Sequence, residues 1–274
     1  MSIPKDIVPK SGRKSVCGGM SRRAALVSGT AALLTGPVHA QGNLPVDLIL
    51  LLAIDCSYSV SRTEYNLQTQ GLALAFLDPE IVEAALAGPN GRIALAVMQW
   101  SSENSQIPSI PWRLIDTPEA AVQFSVHLST MARQTADGAT ALGDALSQAG
   151  AYIQSAPYDA FRRVIDVSGD GRKNTGSVVT PVRDALVERG ITINALAILN
   201  EDPELDAYYA RDLIGGIGSF VMIANDYKEY GKAIRKKLLR EIRFVPVSEA
   251  DPGRLQSEWP ARNGLREGQK NRDS

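Results

Sequence analysis

The feature that most constrains this chain is the near-continuous apolar run Val46 to Ile54, together with the pentad Asp55-Cys56-Ser57-Tyr58-Ser59 that follows it. Such a run, without polar alternation, suits a central strand of a parallel sheet covered on both faces. The pentad then sits at the carboxyl end of that strand. A carboxylate and two hydroxyls at alternating positions there can converge on one hard cation. Magnesium prefers oxygen ligands in octahedral geometry and keeps several waters, so a site with few protein charges leaves positions open for a partner. The pentad acquires meaning only if distant segments bring further oxygens to the same place.

The rest of the chain alternates short apolar runs with amphipathic stretches. Ser61 to Leu77 reads as a helix, Ile93 to Trp100 as a strand, and Ile107 to Ile115 as an irregular strand whose prolines, Pro108 and Pro111, suit a sheet edge. Pro118 to Met131 is helical, with Thr117 or Asp116 as its cap. Leu142, Ala145, Leu146, Ala149, Tyr152 and Ile153 fall at helical spacing, predicting an amphipathic helix over 141–154. Arg163 to Val167 is the next strand, Val178 to Arg189 a helix stopped by Gly190, and Ile191 to Leu199 a strand. A helix through Leu213, a strand over 218–224 and a helix over 227–242 complete the pattern. Repeated strand–helix units imply right-handed crossovers. The predicted fold is therefore α/β: a doubly wound, Rossmann-like, mainly parallel six-stranded sheet with helices on both faces and one antiparallel edge strand.

The two ends read differently. Ser21-Arg22-Arg23, the apolar stretch Ala24 to Leu34 and Pro37-Val38-His39-Ala40 have the layout of a secretory signal, too short to span a bilayer. The expected organisation is a leader over 1–40, with Met20 a possible start, a domain over 41–246, and a tail over 247–274 too poor in apolar residues to order itself. The paired arginines leave the Sec and Tat routes both open. The expected location is the periplasm or the medium, without stable membrane insertion once the leader is cleaved.

Removing the leader, which holds six basic residues and one acidic, leaves 23 basic against 29 acidic residues, a net charge of −6. An acidic protein lacks the basic footprint of a nucleic-acid binder. Cys56 would remain as the sole cysteine and His127 as the sole histidine. No intramolecular disulfide is then possible, and zinc sites built from Cys and His are nearly excluded. Cys56 reads as a small buried filler.

In doubly wound sheets ligands collect at the carboxyl ends of the strands, near the point where strand order reverses. Two other segments belong there. Asp137-Gly138-Ala139-Thr140 enters a helix and offers the Thr140 hydroxyl, and Ser168-Gly169-Asp170-Gly171 leaves a strand and offers the Asp170 carboxylate. Asp-x-Ser-x-Ser after the first strand, Gly-x-Thr before a helix and Ser-Gly-Asp-Gly after a later strand together resemble the von Willebrand factor type A domain. More narrowly, the chain is similar to a bacterial group of secreted proteins with such a domain, in which the run Ile165 to Gly171 and the preceding Arg162-Arg163 recur.

The resemblance covers roughly residues 46–242 and implies a metal-ion-dependent adhesion site made of Asp55, Ser57, Ser59, Thr140 and Asp170. It implies Mg²⁺, or Mn²⁺ or Ca²⁺, and a protein partner that completes the metal shell with a Glu or Asp carboxylate. Two residues depart from the common pattern: bulky Tyr58, where Gly is frequent, and Ala139 in place of a second Gly. Tyr58 is expected to narrow the approach to the metal.

Enzyme readings find less support. A phosphatase of the haloacid dehalogenase type needs a second carboxylate two positions after its aspartate, where this chain has Ser57. There is no Gly-x-Ser-x-Gly elbow and no phosphate-binding loop. The expected function is a non-enzymatic, exported binding module. The alternatives are a metal-assisted hydrolase using the same site and a degenerate domain that binds partners without metal. The basic residues Lys232, Arg235, Lys236, Lys237 and Arg240 read as a solvated helix face. Asp166, inside its strand, calls for a charged partner.

Overall fold

The computed structural model describes residues 43–243. The expected leader over 1–40 and tail over 247–274 lie outside the described residues. Six strands form one sheet in the order β3-β2-β1-β4-β5-β6. They are β1 (Leu44–Asp55), β2 (Ile93–Trp100), β3 (Gln106–Ile115), β4 (Tyr158–Gly169), β5 (Ile191–Ile198) and β6 (Val221–Ala224). All neighbours run parallel except the edge strand β3, which is antiparallel to β2. This is the doubly wound architecture expected from the alternation of apolar runs and amphipathic stretches.

The helices are α1 (Arg62–Ala75), α2 (Pro79–Leu86), α3 (Pro118–Ser129), α4 (Leu142–Gln154), α5 (Val179–Glu188), α6 (Leu205–Tyr208) and α7 (Tyr230–Ile242); a π-helical turn, Tyr209–Leu213, continues α6. Local chemistry sets several starts. Ser61 and Glu64 form a reciprocal capping box at α1, and Asp78 and Thr117 cap α2 and α3, each with proline in the first turn.

Strand alternation divides the core into two layers. Leu48, Leu50, Leu52 and Ile54 of β1 pack with α1, α3 and α7, while Ile49, Leu51 and Ala53 pack with α4 and α5. Both faces of β1 are therefore covered, which is why its sequence does not alternate.

The structure differs from the expectations at several points. Helix α2 carries no clear signal because it buries little more than Ile81 and Ala85 in eight residues. Strand β4 begins at Tyr158, five residues before Arg163, because its polar first half is held on one side by β1. Strand β6 is shorter than 218–224, since Gly216 and Gly218 take positive φ of 93° and 70°. The register of β2 on β3 shifts where Met98 meets Pro108, consistent with a proline at a sheet edge.

The basic face of α7 is not wholly solvated. Lys237 is fully buried, its Nζ 2.5 Å from both Asp166 Oδ1 and Glu241 Oε1. A charge inside β4 obliges a partner on the helix packed over it. Among the described residues, no helix is long and apolar enough to cross a membrane.

Candidate metal centre

Strand order reverses at β1, which lies between β2 and β4. The loops leaving β1 and β4 start side by side there, at the carboxyl edge of the sheet, where doubly wound folds collect ligands. Asp55 closes β1, and Asp170 immediately follows β4.

The first loop turns on its own aspartate. Ser57 donates its backbone N–H to Asp55 Oδ1 at 2.7 Å, an Asx turn that reverses the chain and presents the serine hydroxyls. Ser57 Oγ and Ser59 Oγ stand 3.2 Å apart, and Ser59 Oγ donates to Asp170 Oδ1 at 2.7 Å. The pentad and the third loop, 111 residues distant in sequence, thus meet directly.

Asp170 is held from its other side by Tyr227, whose hydroxyl donates to Oδ2 at 2.9 Å. Gly169 lets the third loop lie against Asp55: a Cβ there would stand 2.9 Å from Asp55 Oδ2 and 2.7 Å from the Tyr209 hydroxyl.

Thr140 lies in the loop before α4 and is buried. Its backbone N–H donates to Asn174 Oδ1 at 2.8 Å, and the Asn174 N–H returns a bond to the Thr140 carbonyl. Its Oγ1 points toward the third loop, 3.8 Å from where a Cβ on Gly171 would stand. Tyr58 donates its N–H to the Gly138 carbonyl at 2.7 Å, joining the first two loops, while its side chain is 81% exposed. The five residues singled out from the sequence therefore lie at three loops, those that follow β1, precede α4 and follow β4.

The electrostatics favour a cation. Burial, reinforced by the neighbouring Asp170 charge, pushes the Asp55 carboxyl up to about 8, against opposition from the Ser57 hydrogen bonds and the Arg133 guanidinium. Asp170 is also raised by burial, opposed by the bonds from Ser59 and Tyr227. Asp55 Oδ2 is buried with no hydrogen-bond partner among the described residues. A buried carboxylate oxygen without a partner, on a loop whose Ser59 hydroxyl reaches Asp170, fits a hard dication, which would offset the repulsion between the two aspartates. Among the described residues no three His, Cys, Asp or Glu side chains converge. The donor set is therefore two carboxylates and three hydroxyls, a poor match for soft metals.

Sequence reasoning missed the residues that hold this site in shape. Arg133 donates from Nη1 to the Val60 carbonyl at 2.8 Å and from Nη2 to those of Cys56 and Ser57 at 2.6 and 3.2 Å. Its ion pair with Asp137 spans 2.9 Å and ties the same loop to the second one. Gln68 donates to the Asp55 carbonyl at 3.3 Å, and Tyr209 donates to the Gly171 carbonyl at 3.1 Å. None belongs to a motif, and no spacing could have found them.

Cys56 is the buried filler expected, facing Gln99 Oε1, with its thiol pushed by burial up to about 12. His127 lies on α3, its ring bonded to the Gln123 carbonyl one turn back. Asp144, in the first turn of α4, accepts from the Ser177 hydroxyl and contacts none of the five residues by a hydrogen bond.

Residues 45–245 match a family described as "Protein of unknown function (DUF1194)". No curated protein matches the chain. Among solved structures, proximal thread matrix protein 1 from the mussel byssus superposes with a TM-score of 0.52 at 18% identity, covering 72% of this chain and 48% of that one. The pilus adhesin SpaC from Lactobacillus rhamnosus GG gives 0.53 at 15% identity, covering 74% and 31%. A von Willebrand factor type A protein from Catenulispora acidiphila gives 0.49 at 17% identity, covering 72% and 43%. The chain spans less than half the length of each of these three proteins. By its sequence match the chain belongs to the DUF1194 family, and its sheet with the helices around it has a von Willebrand factor type A-like fold.

Proposed function

We propose that Asp55, Ser57, Ser59, Thr140 and Asp170 hold a divalent cation, Mg²⁺ by the hardness of its donors, and that the domain uses it to capture an acidic side chain of a partner protein. The observation that carries this reading is the meeting of the first and third loops: Ser59 donates to Asp170 Oδ1, while Asp55 Oδ2 is buried without a partner among the described residues. When bound, the dication supplies a Lewis-acidic position for a carboxylate oxygen of the partner.

The protein's residues shape what reaches that position. Both Asp170 oxygens already accept hydrogen bonds, from Ser59 and Tyr227, so its charge is shared with neutral hydroxyls. Tyr58, exposed on the first loop between the two serines, would limit the bulk that can approach. The reading as a binding module rather than a hydrolase draws on the place of His127, which lies on α3 with its ring bonded to the Gln123 carbonyl. Residues 20–40, read as a signal peptide, would carry the domain out of the cytoplasm.

Isothermal calorimetry with Mg²⁺ and Mn²⁺ tests the metal reading. Saturable binding at millimolar or lower concentration should disappear in Asp55→Ala and in Ser59→Ala, each checked for folding by circular dichroism. Unchanged binding in both variants would sink it. Metal-dependent turnover of phosphate or ester substrates would replace capture by hydrolysis.

A further inference from the structure

At the opposite, amino-terminal end of the sheet the strands are unevenly paired. Strand β4 is registered on β1 from Leu44↔Tyr158 onward, but on β5 only from Arg163↔Ile191. Among the described residues, no strand covers the β5 side of Tyr158–Arg162. Phe161 at the middle of this open edge is fully exposed, and so is Ile217 across from it.

Two cavities flank the edge, one on each face of the sheet, and both are bounded by Arg163 and Ile191. The one on the α7 side has a volume of about 470 Å³ and is walled by Phe161, Val164, Ile217 and Phe220, with Arg162 and Arg240 among its polar groups. The one on the α4 side is about 170 Å³ and is lined by Tyr158, Gln154, Arg163 and Arg189.

The charge here runs against that of the whole chain. Arg162, Arg163, Arg189 and Arg240 have no carboxylate within ion-pair distance among the described residues; Arg240 instead lies over the Phe220 ring, 3.9 Å from its centroid. Two carboxylates border the slot. Glu241 is held by Lys237 and Asn194, and Asp159 accepts from Asn43 at 3.4 Å.

We propose that this slot binds an extended peptide segment of a partner protein, added as a strand to the open edge of β4, in which bulky apolar residues alternate with acidic ones. A strand sends successive side chains to opposite faces. Alternate residues would enter the larger apolar cavity, and those between them would meet Arg163 and Arg189 in the smaller one. Main-chain bonds to the edge supply affinity and the two cavities supply selectivity. The site is separate from the metal centre.

The test is fluorescence anisotropy of the full chain with a fluorescein-labelled hexapeptide alternating phenylalanine and glutamate. Saturable binding below about 1 mM that weakens with added salt is expected. The same residues arranged as two blocks should bind about tenfold more weakly. The double variant Arg163→Glu with Arg189→Glu should lose the peptide and gain one alternating phenylalanine and lysine, a gain that a misfolded protein cannot show.

Equal binding of the blocked and alternating peptides overturns strand addition. So does the absence of saturable binding, in which case the arginines only guard the edge against pairing. Binding seen only in a chain ending at Arg243 would name the segment beyond Arg243 as the occupant and overturn a foreign one. Binding should be the same in EDTA as in Mg²⁺, and its loss in EDTA would overturn the separation of the two sites.

Discussion

Tyr227 donates its hydroxyl to Asp170 Oδ2 across 57 residues, joining the carboxyl end of β4 to the segment that opens α7. The tyrosine is buried, and Asp170, fully enclosed, depends on this donor and on Ser59 for its two hydrogen bonds. The aspartate's position against the first loop is thus decided partly by a residue on the far side of it.

Tyr227→Phe should destabilise the metal-free protein by about 1–3 kcal/mol, because a buried carboxylate oxygen loses its donor while the ring packing is kept. Urea unfolding in EDTA measures this. A variant as stable as the wild type would mean that water replaces the hydroxyl.

Arg133→Met should cost about 2 kcal/mol or more, since one guanidinium serves the carbonyls of Cys56, Ser57 and Val60. Mg²⁺ affinity should fall about 10- to 100-fold, as for other groups that orient ligands without touching the metal. Arg133→Lys should recover only part of both, because a single ammonium cannot fork to diverging acceptors. Full rescue by lysine would show that charge alone matters.

Tyr58→Gly should leave Mg²⁺ affinity within about twofold, as for an exposed side chain. It should strengthen binding of a bulky carboxylate relative to acetate, read by water-proton relaxation of the Mn²⁺-loaded protein. No change in that ratio would free Tyr58 of any gating role.

Lys237→Met should be severe, about 3–5 kcal/mol, because it leaves Asp166 and Glu241 buried without their cation. The same cluster predicts a pH dependence. Burial and the Asp166 charge push the Glu241 carboxyl from an ordinary 4.5 up to about 8, against the pull of Lys237. Between those values the folded protein holds a proton that the unfolded chain has released, so this group's contribution to stability falls as pH rises through the window. Asp55, raised to about 8 in the metal-free protein, acts with the same sign. Glu241→Gln should therefore flatten, but not abolish, the decline in unfolding free energy between pH 5 and 8 in EDTA. A slope identical to that of the wild type would remove Glu241 from the account.

Much of this arrangement is legible in the sequence. The run Val46 to Ile54 announced a strand buried on both faces, and β1 is one, with its even and odd residues in separate core layers. Asp55, Ser57, Ser59, Thr140 and Asp170 could be singled out because each lies where a strand or helix boundary meets a short polar pattern, and boundaries are local properties of sequence. The first half of β4 and the short helix α2 escaped, since one is polar and the other buries few residues, so neither carries a periodic signal.

What the sequence determined by itself was the type of sheet, the three loops and the carboxylates and hydroxyls they carry. Only the tertiary structure decided that Arg133, Tyr209 and Tyr227 would brace those loops, that Lys237 would turn inward to meet Asp166, and that β4 would outrun β5 to leave an edge exposed. The division has a physical cause. Hydrophobic periodicity and turn chemistry act over a few residues and can be read along the chain. Hydrogen bonds and ion pairs between buried groups are set by which elements the topology brings into contact, and that is settled only when the sheet closes.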